Sequence, residues 1–190
     1  MQDPNQHLAA RLKELRKNKG WSLDRTAGET GVSKAMLGQI ERGESSPTVA
    51  TLWKIAGGFN RSLSDFIQPV SSEQTETLIR SADQIRHQPA TDEMLIAPLF
   101  PYEERFGFEM FELTLQPGYE RLSEPHEPGV TEHVIVLSGE MELLVEGEWL
   151  ALTQGAAVRF AADKPHGYRN LNATPAVFHN LIHYARGEPV

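Results

Sequence analysis

The stretch 21–43, WSLDRTAGETGVSKAMLGQIERG, decides the fold of the first part of the chain. Ser22 can cap one short helix that Gly31 ends, and Ser33 can cap a second helix that ends at Gly43. A short helix, a tight turn and a second helix form the pattern of a helix-turn-helix unit. The second helix of such a unit enters the major groove of DNA with its N-terminus first.

Further helices are predicted on both sides of this stretch. Leu8, Leu12 and Leu15 recur at helical spacing before it. Pro47-Thr48 and the capping-box-like run 62–65, SLSD, can start two helices after it. A head of five short helices is therefore expected in the first third of the chain.

The charge of the chain is unevenly distributed. The 190 residues carry a net charge of −8, but residues 1–68 hold ten Lys/Arg against seven Asp/Glu, a net charge of +3, whereas residues 69–190 carry −11. A basic head on an acidic body predicts that only the head meets a polyanion. Because a charge of +3 is small and phosphate neutralisation supplies much of DNA affinity, we expect a homodimer that binds two half-sites.

Composition excludes several classes of protein. The chain has no Cys, which rules out disulfides, thiolate zinc sites, iron–sulfur clusters and thiol nucleophiles. Its N-terminus has no apolar core segment typical of a secretory signal, and no apolar run approaches the roughly 18 residues that a membrane helix needs. A cytoplasmic protein without membrane partners is expected.

The pattern changes after the head. Residues 69–90, PVSSEQTETLIRSADQIRHQPA, are rich in Ser, Thr, Gln and Glu and are interpreted as a linker with a helical turn near Leu78-Ile79. From Met94 onward, short apolar or alternating segments lie between Gly, Pro and Asn signals, and Glu146-Gly147 marks a hairpin. This spacing predicts a small antiparallel barrel or sandwich.

The head resembles the XRE-type, lambda- and 434-repressor-like helix-turn-helix family over residues 8–67, on RLKELRKNKGWS, GVSKAMLGQIERGESSPTVATLWKIA and LSDF. The resemblance implies a buried structural pair of Arg16 and Glu41. It also implies a set of DNA-contacting residues: Lys34, Ala35 and Gln39 at base edges, Ser22 and Ser33 at phosphates, and Arg42 at a phosphate or in solvent. A plain protein-interaction module is the alternative for this head.

Two later segments, 118–139 (GYERLSEPHEPGVTEHVIVLSG) and 155–170 (GAAVRFAADKPHGYRN), resemble the two cupin motifs. The resemblance implies a double-stranded β-helical barrel and a candidate set of metal ligands, His126, Glu132 and His166. Pro128 stands where cupins carry a second His, which removes one nitrogen ligand. Three ligands can still hold a divalent metal such as Zn with water as the fourth. The alternative is a metal-free site in which the same three residues bind an organic ligand.

Three other histidines lie near these motifs. His133 neighbours Glu132, but adjacent strand residues point to opposite faces. His179 and His183 are four residues apart on the last predicted strand, so they share a face, and one of them could reach the cupin site. Packed or exposed histidines are the alternative.

The head and the barrel together resemble the XRE–cupin class of bacterial transcription regulators. This implies an α + β chain of several domains: a helix-turn-helix domain at residues 1–68, a linker at 69–90 and a cupin sensor domain at 91–190. The implied function is a non-enzymatic repressor or activator that binds operator DNA and senses a small metabolite, with a sulfur compound or an amino acid as candidate effectors. Two alternatives remain: a metal-dependent cupin enzyme with a DNA-binding head, and an antitoxin that binds a toxin through its C-terminal part.

Overall fold

A computed structural model describes residues 4–67, 77–86 and 94–184. The chain divides into two compact units, one formed by the N-terminal helices and one formed by the strands. The helices in the described residues are α1 (Pro4–Asn18), α2 (Leu23–Thr30), α3 (Lys34–Glu41), α4 (Val49–Phe59), α5 (Ser64–Ile67) and α6 (Ala82–Ile85).

The predicted capping residues start three of these helices. The side-chain oxygen of Ser22 accepts a hydrogen bond from the backbone N–H of Arg25 at 3.1 Å, and Ser33 accepts one from Met36 at 3.2 Å. Thr48 caps α4 in the same way. Each cap satisfies a backbone donor that the first helical turn leaves without a partner. The predicted helix-turn-helix is therefore confirmed as α2, a turn at Gly31 and α3.

An apolar core and partly buried ion pairs between helices hold the helical unit together. Leu12, Leu37 and Ile55 are fully buried in it. The guanidinium of Arg16 on α1 donates to both carboxylate oxygens of Glu41 on α3, at 2.5 and 2.8 Å. This bidentate pair joins the first helix to the second helix of the helix-turn-helix. The predicted structural pair is confirmed.

Antiparallel strands form the second unit. In the described residues they are β1 (Met94–Glu103), β2 (Phe108–Leu115), β3 (Glu120–Ser123), β4 (Thr131–Ser138), β5 (Glu140–Val145), β6 (Glu148–Thr153), β7 (Ala157–Ala161), β8 (His166–Arg169) and β9 (Ala176–His183). They form a five-stranded sheet in the order β1-β2-β9-β4-β7 and a four-stranded sheet in the order β3-β8-β5-β6. The inward sides of both sheets supply the core, including Phe111, Val134, Phe178, Met141 and Leu143.

The predicted hairpin joins β5 to β6. Glu146 and Gly147 have positive φ angles of 53° and 85°, the conformation that a two-residue hairpin turn of type I′ requires. Barrel closure is not confirmed, because no pairing between described strands joins the two sheets. The described part of the chain has no helix long and apolar enough to cross a membrane.

Part of the predicted linker belongs to the strand unit. The predicted helical turn near Leu78-Ile79 is wrong, since the helix of this segment is α6, four residues later. The side chain of Arg80 donates to the carbonyl of Pro98 at 3.2 Å, and Arg86 donates to Glu112 at 2.6 Å. These bonds attach residues 78–86 to β1 and β2. The remaining residues of the predicted linker, 69–76 and 87–90, lie outside the described ranges, so the domain boundaries stay a prediction.

A close approach between α2 and α4 makes Gly58 sensitive to substitution. A Cβ at Gly58 would lie 2.6 Å from the carbonyl oxygen of Glu29 and 2.7 Å from Cγ2 of Thr30. We expect Gly58→Ala to lower the free energy of unfolding of the helical unit by about 1–3 kcal/mol, because the two helices must separate to admit the methyl group. Urea unfolding followed by helical circular dichroism measures this change.

The neighbouring Gly57 is the matched control. It lies in the same helix, and no described atom outside that helix's own backbone and its chain neighbours comes within 4 Å of its added Cβ. Gly57→Ala should therefore stabilise the unit by roughly 0.5–1 kcal/mol, the helix propensity difference between Gly and Ala. Equal effects of the two substitutions would contradict the described contact between α2 and α4.

Candidate functional site

Glu132 lies at the centre of a buried polar cluster in the strand unit. It belongs to β4, on the inward side with Val134 and Val136, and only 1% of its surface is exposed. A buried carboxylate costs several kcal/mol unless other groups donate to both of its oxygens. The polar residues around Glu132 therefore make the burial of its carboxylate possible.

Donors from three other segments surround this carboxylate. Its Oε1 lies 2.8 Å from Nε2 of His126, which precedes β4, and 3.5 Å from Nε2 of His166 on β8. Its Oε2 accepts hydrogen bonds from the hydroxyl of Tyr168 and, at 2.9 Å, from the side-chain amide of Asn180 on β9. The structure thus brings the three residues implied by the cupin motifs together and adds Tyr168 and Asn180. We call these five residues the Glu132 cluster.

His166 has the orientation of a ligand-binding imidazole. Its Nδ1 contacts the backbone carbonyl of Lys164 at 2.9 Å, a bond in which Nδ1 is the donor. The opposite nitrogen, Nε2, is buried and makes no hydrogen bond within the described residues. Its 3.5 Å distance to Glu132 is an electrostatic contact that is too long for a good hydrogen bond. A carbonyl that fixes one ring nitrogen so that the other can bind is typical of metal-ligating histidines.

The cluster shifts the titration of its members. Burial alone would raise the pKa of Glu132, but the close approach of His126 and His166 reverses this effect and holds the pKa well below its ordinary value. Burial would lower the pKa of His166, but the Glu132 carboxylate raises it. Burial, followed by the charge of Glu132, raises the pKa of Tyr168 well above 10.0. Glu132 is therefore a carboxylate and Tyr168 a neutral donor at physiological pH.

The donor set fits a divalent metal. One ligand atom from each of His126, Glu132 and His166 lies within 4.8 Å of the other two. Two imidazoles and a carboxylate are a common ligand set for zinc and for non-haem iron. Pro128 lies exposed in the turn between His126 and β4 and supplies no ligand. The set therefore has three protein ligands.

The other polar residues of the motifs lie elsewhere. The Nδ1 atom of His133 is buried on the side of β4 opposite Glu132. Nε2 of His179 is 3.8 Å from Glu112, and His183 is exposed, so neither of them reaches the cluster. Asn170 is buried and donates to the carbonyls of Leu115 and Thr174, which is a structural role.

A separate surface cleft of about 400 Å³ lies away from the cluster. Its lining is Gly139, Glu140, Thr153, Gln154, Asn172 and Thr174. The cluster itself comes closest to solvent at His126, whose side chain is 18% exposed.

Sequence analysis missed Tyr168 and Asn180, although each carries a local signal. Tyr168 follows His166 by two residues, so both side chains point to the same face of β8. Asn180 is the single amide in the inward series of β9, between Phe178 and Ile182. A lone polar residue in a buried apolar series indicates a polar partner inside the fold.

The helix-turn-helix exposes the residues implied for DNA contact. The side chains of Lys34, Ala35 and Gln39 are exposed on α3, and so is that of its capping residue Ser33; Ala35 and Gln39 lie one turn apart. Nζ of Lys34 forms an ion pair with Asp24 of α2 at 2.8 Å.

The other residues that the family resemblance implies for DNA contact lie at the ends of α2 and α3. Ser22 and Ser33 use their oxygens as caps, so each hydroxyl proton is left to donate to a phosphate. Arg42, just after α3, pairs with Glu44 at 2.7 Å.

Comparison with known proteins agrees with both parts of the chain. Residues 12–66 match the helix-turn-helix family model HTH_3, and residues 111–182 match the Cupin domain model. The chain is 50% identical over 186 residues to the HTH-type transcriptional regulator SutR of Escherichia coli, covering 98% of this chain and 99% of SutR. This chain belongs to the HTH-type transcriptional regulators. The predicted XRE-type family with a cupin domain is confirmed.

Two further similarities extend along nearly the whole regulator. It is 27% identical over 177 residues to the HTH-type transcriptional regulator PuuR of Escherichia coli, covering 91% of this chain and 92% of PuuR. The crystal structure of an HTH_3 family transcriptional regulator from Vibrio cholerae matches it with a TM-score of 0.80 at 46% identity, covering 96% of this chain and 98% of that one.

The bond from Tyr168 to Glu132 gives a stability prediction. Tyr168→Phe removes one donor from a buried carboxylate, which should lower the free energy of unfolding by about 1–3 kcal/mol. In a Glu132→Gln background the same substitution should cost clearly less, because the charged acceptor is absent. Urea unfolding of all four proteins completes the cycle. An equal cost of Tyr168→Phe in both backgrounds would show that the charge of Glu132 does not strengthen this bond.

Proposed function

We propose that this regulator binds operator DNA as a homodimer through α3 and senses a small metabolite through its cupin domain. The observation that carries the proposal is the exposed row of Lys34, Ala35 and Gln39 on a helix whose other side is held by the Arg16–Glu41 pair. A rigid helix with small and amide side chains outward suits entry into the major groove.

Each residue has a distinct role in this proposal. Lys34 donates to a guanine edge, Ala35 contacts a thymine methyl, and Gln39 pairs with adenine through both ends of its amide. Ser22, Ser33 and Arg42 bind phosphates and set the register of the helix on the duplex.

Lys34 must leave Asp24 to reach a base. Both side chains are more than half exposed, so the ion pair is weak and its exchange costs little.

The small positive charge of the head favours a dimer, because a single head would bind DNA weakly. Two copies of α3 about 34 Å apart would read half-sites one helical turn apart. We assign the five helices up to residue 67 to a lambda-repressor-like domain at 1–68 and the two sheets to a cupin barrel within 91–190. Such a regulator works in the cytoplasm.

The Glu132 cluster is the proposed sensor. A sulfur compound or an amino acid that enters beside His126 would contact the buried polar groups of the cluster. The apolar core around the cluster offers no such groups. Its binding would change the relative placement of the two DNA-binding heads and so the match to the half-site spacing. The effector can move this equilibrium only by its differential affinity for the two arrangements.

A divalent metal such as Zn would be held by His126, Glu132 and His166. Bound there, it would supply a Lewis-acid position for a donor atom of the effector. Asn180 and Tyr168 would hold the Glu132 carboxylate in place through their bonds to Oε2. The carbonyl of Lys164 would keep the ring of His166 turned toward the cluster.

Gln39→Ala should relax sequence preference at one base pair of each half-site, at a cost of about 1–3 kcal/mol of discrimination. Affinity for unrelated DNA should stay unchanged, because the phosphate contacts remain. Selection of bound sequences from a random DNA library by the full-length protein, wild type and variant, measures the preference. An equal loss of affinity on every sequence would contradict the role of Gln39.

Two further variants serve as controls for this experiment. Arg42→Ala should weaken binding to all sequences alike and reduce the slope of log affinity against log salt by about one. Asp24→Asn removes a negative charge and releases Lys34, so it should strengthen binding to all sequences.

Elemental mass spectrometry of tag-free protein purified without chelator tests the metal. Near-stoichiometric zinc, iron, manganese or nickel that is lost in the His126→Ala/His166→Ala variant is the result expected of a three-ligand site. No metal in the wild type would overturn the metal assignment and leave the cluster as a site for an organic effector. Turnover of a substrate by the metal-loaded protein would favour a cupin enzyme instead.

A further inference from the structure

The register between β3 and β8 places an arginine on the face that carries the Glu132 cluster. Arg121 pairs with Tyr168, and Ser123 pairs with His166. Cross-strand partners point to the same side of a sheet. Arg121 and Ser123 therefore share the inward face with the two cluster residues of β8.

A second contact independently supports this orientation. A Cβ added to Gly167 would lie 3.1 Å from Cδ2 of Leu122 and 3.4 Å from the ring of Trp149. Leu122 thus lies over the opposite side of β8 from His166 and Tyr168, and 66% of its surface is exposed. Because neighbouring residues of a strand alternate, Arg121 points inward.

The burial of Arg121 agrees with this orientation. Its side chain is half-buried, so its positive charge lies on the same face of the sheet as His166 and Tyr168.

Glu132 is already satisfied by other donors. Its Oε1 contacts His126, and its Oε2 accepts from Tyr168 and Asn180. The bonds to the Glu132 carboxylate thus come from His126, Tyr168 and Asn180, and Arg121 lies on the same inward face.

We infer that Arg121 binds the acidic group of a small organic anion, a carboxylate or a sulfonate, that enters the cluster beside His126. This inference rests on the proposed function, since it names the chemical class of the effector. The planar guanidinium fork matches both oxyanions with paired hydrogen bonds. The positive charge of Arg121 would repel an amine in the same place, and a neutral amide would form no ion pair with Arg121.

The probe is a panel of aliphatic carboxylates and sulfonates of two to six carbons, each with the carboxamide and the amine of the same carbon skeleton. Thermal unfolding of the full chain identifies the compounds that stabilise it, and calorimetry gives their dissociation constants. We expect members of the carboxylate or sulfonate arm to bind, and their amides and amines not to bind. The arm that binds more tightly distinguishes the two acids.

Variants of two arginines on the same sheet test the contact. Arg121→Gln should weaken binding of the anion by about tenfold or more, and Arg121→Lys should weaken it less because the charge is kept. Arg169→Gln is the matched control. Arg169 lies on the outward face of β8, over Trp149 and paired with Glu142 and Glu120, and its loss should leave anion affinity unchanged.

The outcomes separate the inference from the proposed function. Binding of amines or amides in preference to acids would overturn the inference but keep a sensing cupin domain. Equal affinity of an anion for wild type and Arg121→Gln would also overturn it. If no compound of any charge binds the wild type, both the inference and the sensor proposal fail, whereas DNA selection by the same protein still tests α3.

Discussion

One buried carboxylate organises the cupin domain. Glu132 lies in the interior of the domain, where an ionised group is stable only if other groups donate to it. Its partners come from the loop before β4, from β9 in its own five-stranded sheet and from β8 in the four-stranded sheet, so the bond from Tyr168 joins the two sheets. The cluster is thus part of the architecture as well as the candidate binding site.

This double role suits a sensor. A molecule that bonds to His126 competes with the bond between this side chain and Glu132, the carboxylate that Tyr168 of the other sheet also holds. Its binding energy can therefore be converted into a change of domain structure, provided that two arrangements differ in their affinity for it. In the helical unit, by contrast, the Arg16–Glu41 pair and the caps of α2 and α3 hold α3, the helix proposed to enter the major groove, in a fixed position. A rigid reading head and an adjustable sensor are what ligand-controlled DNA binding requires.

Local signals in the sequence predicted much of this structure. Caps at Ser22 and Ser33 depend on a few neighbouring residues, and they mark the observed helix starts.

The motif resemblance correctly brought His126, Glu132 and His166 together, but it gave no indication of Asn180. That residue enters the cluster through the pairing of β4 with β9, and such a pairing joins residues far apart in the chain. The four-residue strand β3 has no periodic pattern, so the inward position of Arg121 becomes visible only from its register with β8. The predicted turn near Leu78 failed because contacts of Arg80 and Arg86 with the strand unit decide that segment.

The most direct test of the account is whether the cupin domain controls the affinity for DNA. The full-length protein is titrated with a DNA fragment that it selects itself, with and without low-molecular-mass cell extract, and the dissociation constant is followed by fluorescence anisotropy. We expect extract to change the dissociation constant of the wild type, whereas the His126→Ala/His166→Ala variant should bind the same fragment without responding. An unchanged constant for the wild type in extracts from all growth conditions, or an equal response of the variant, would contradict it.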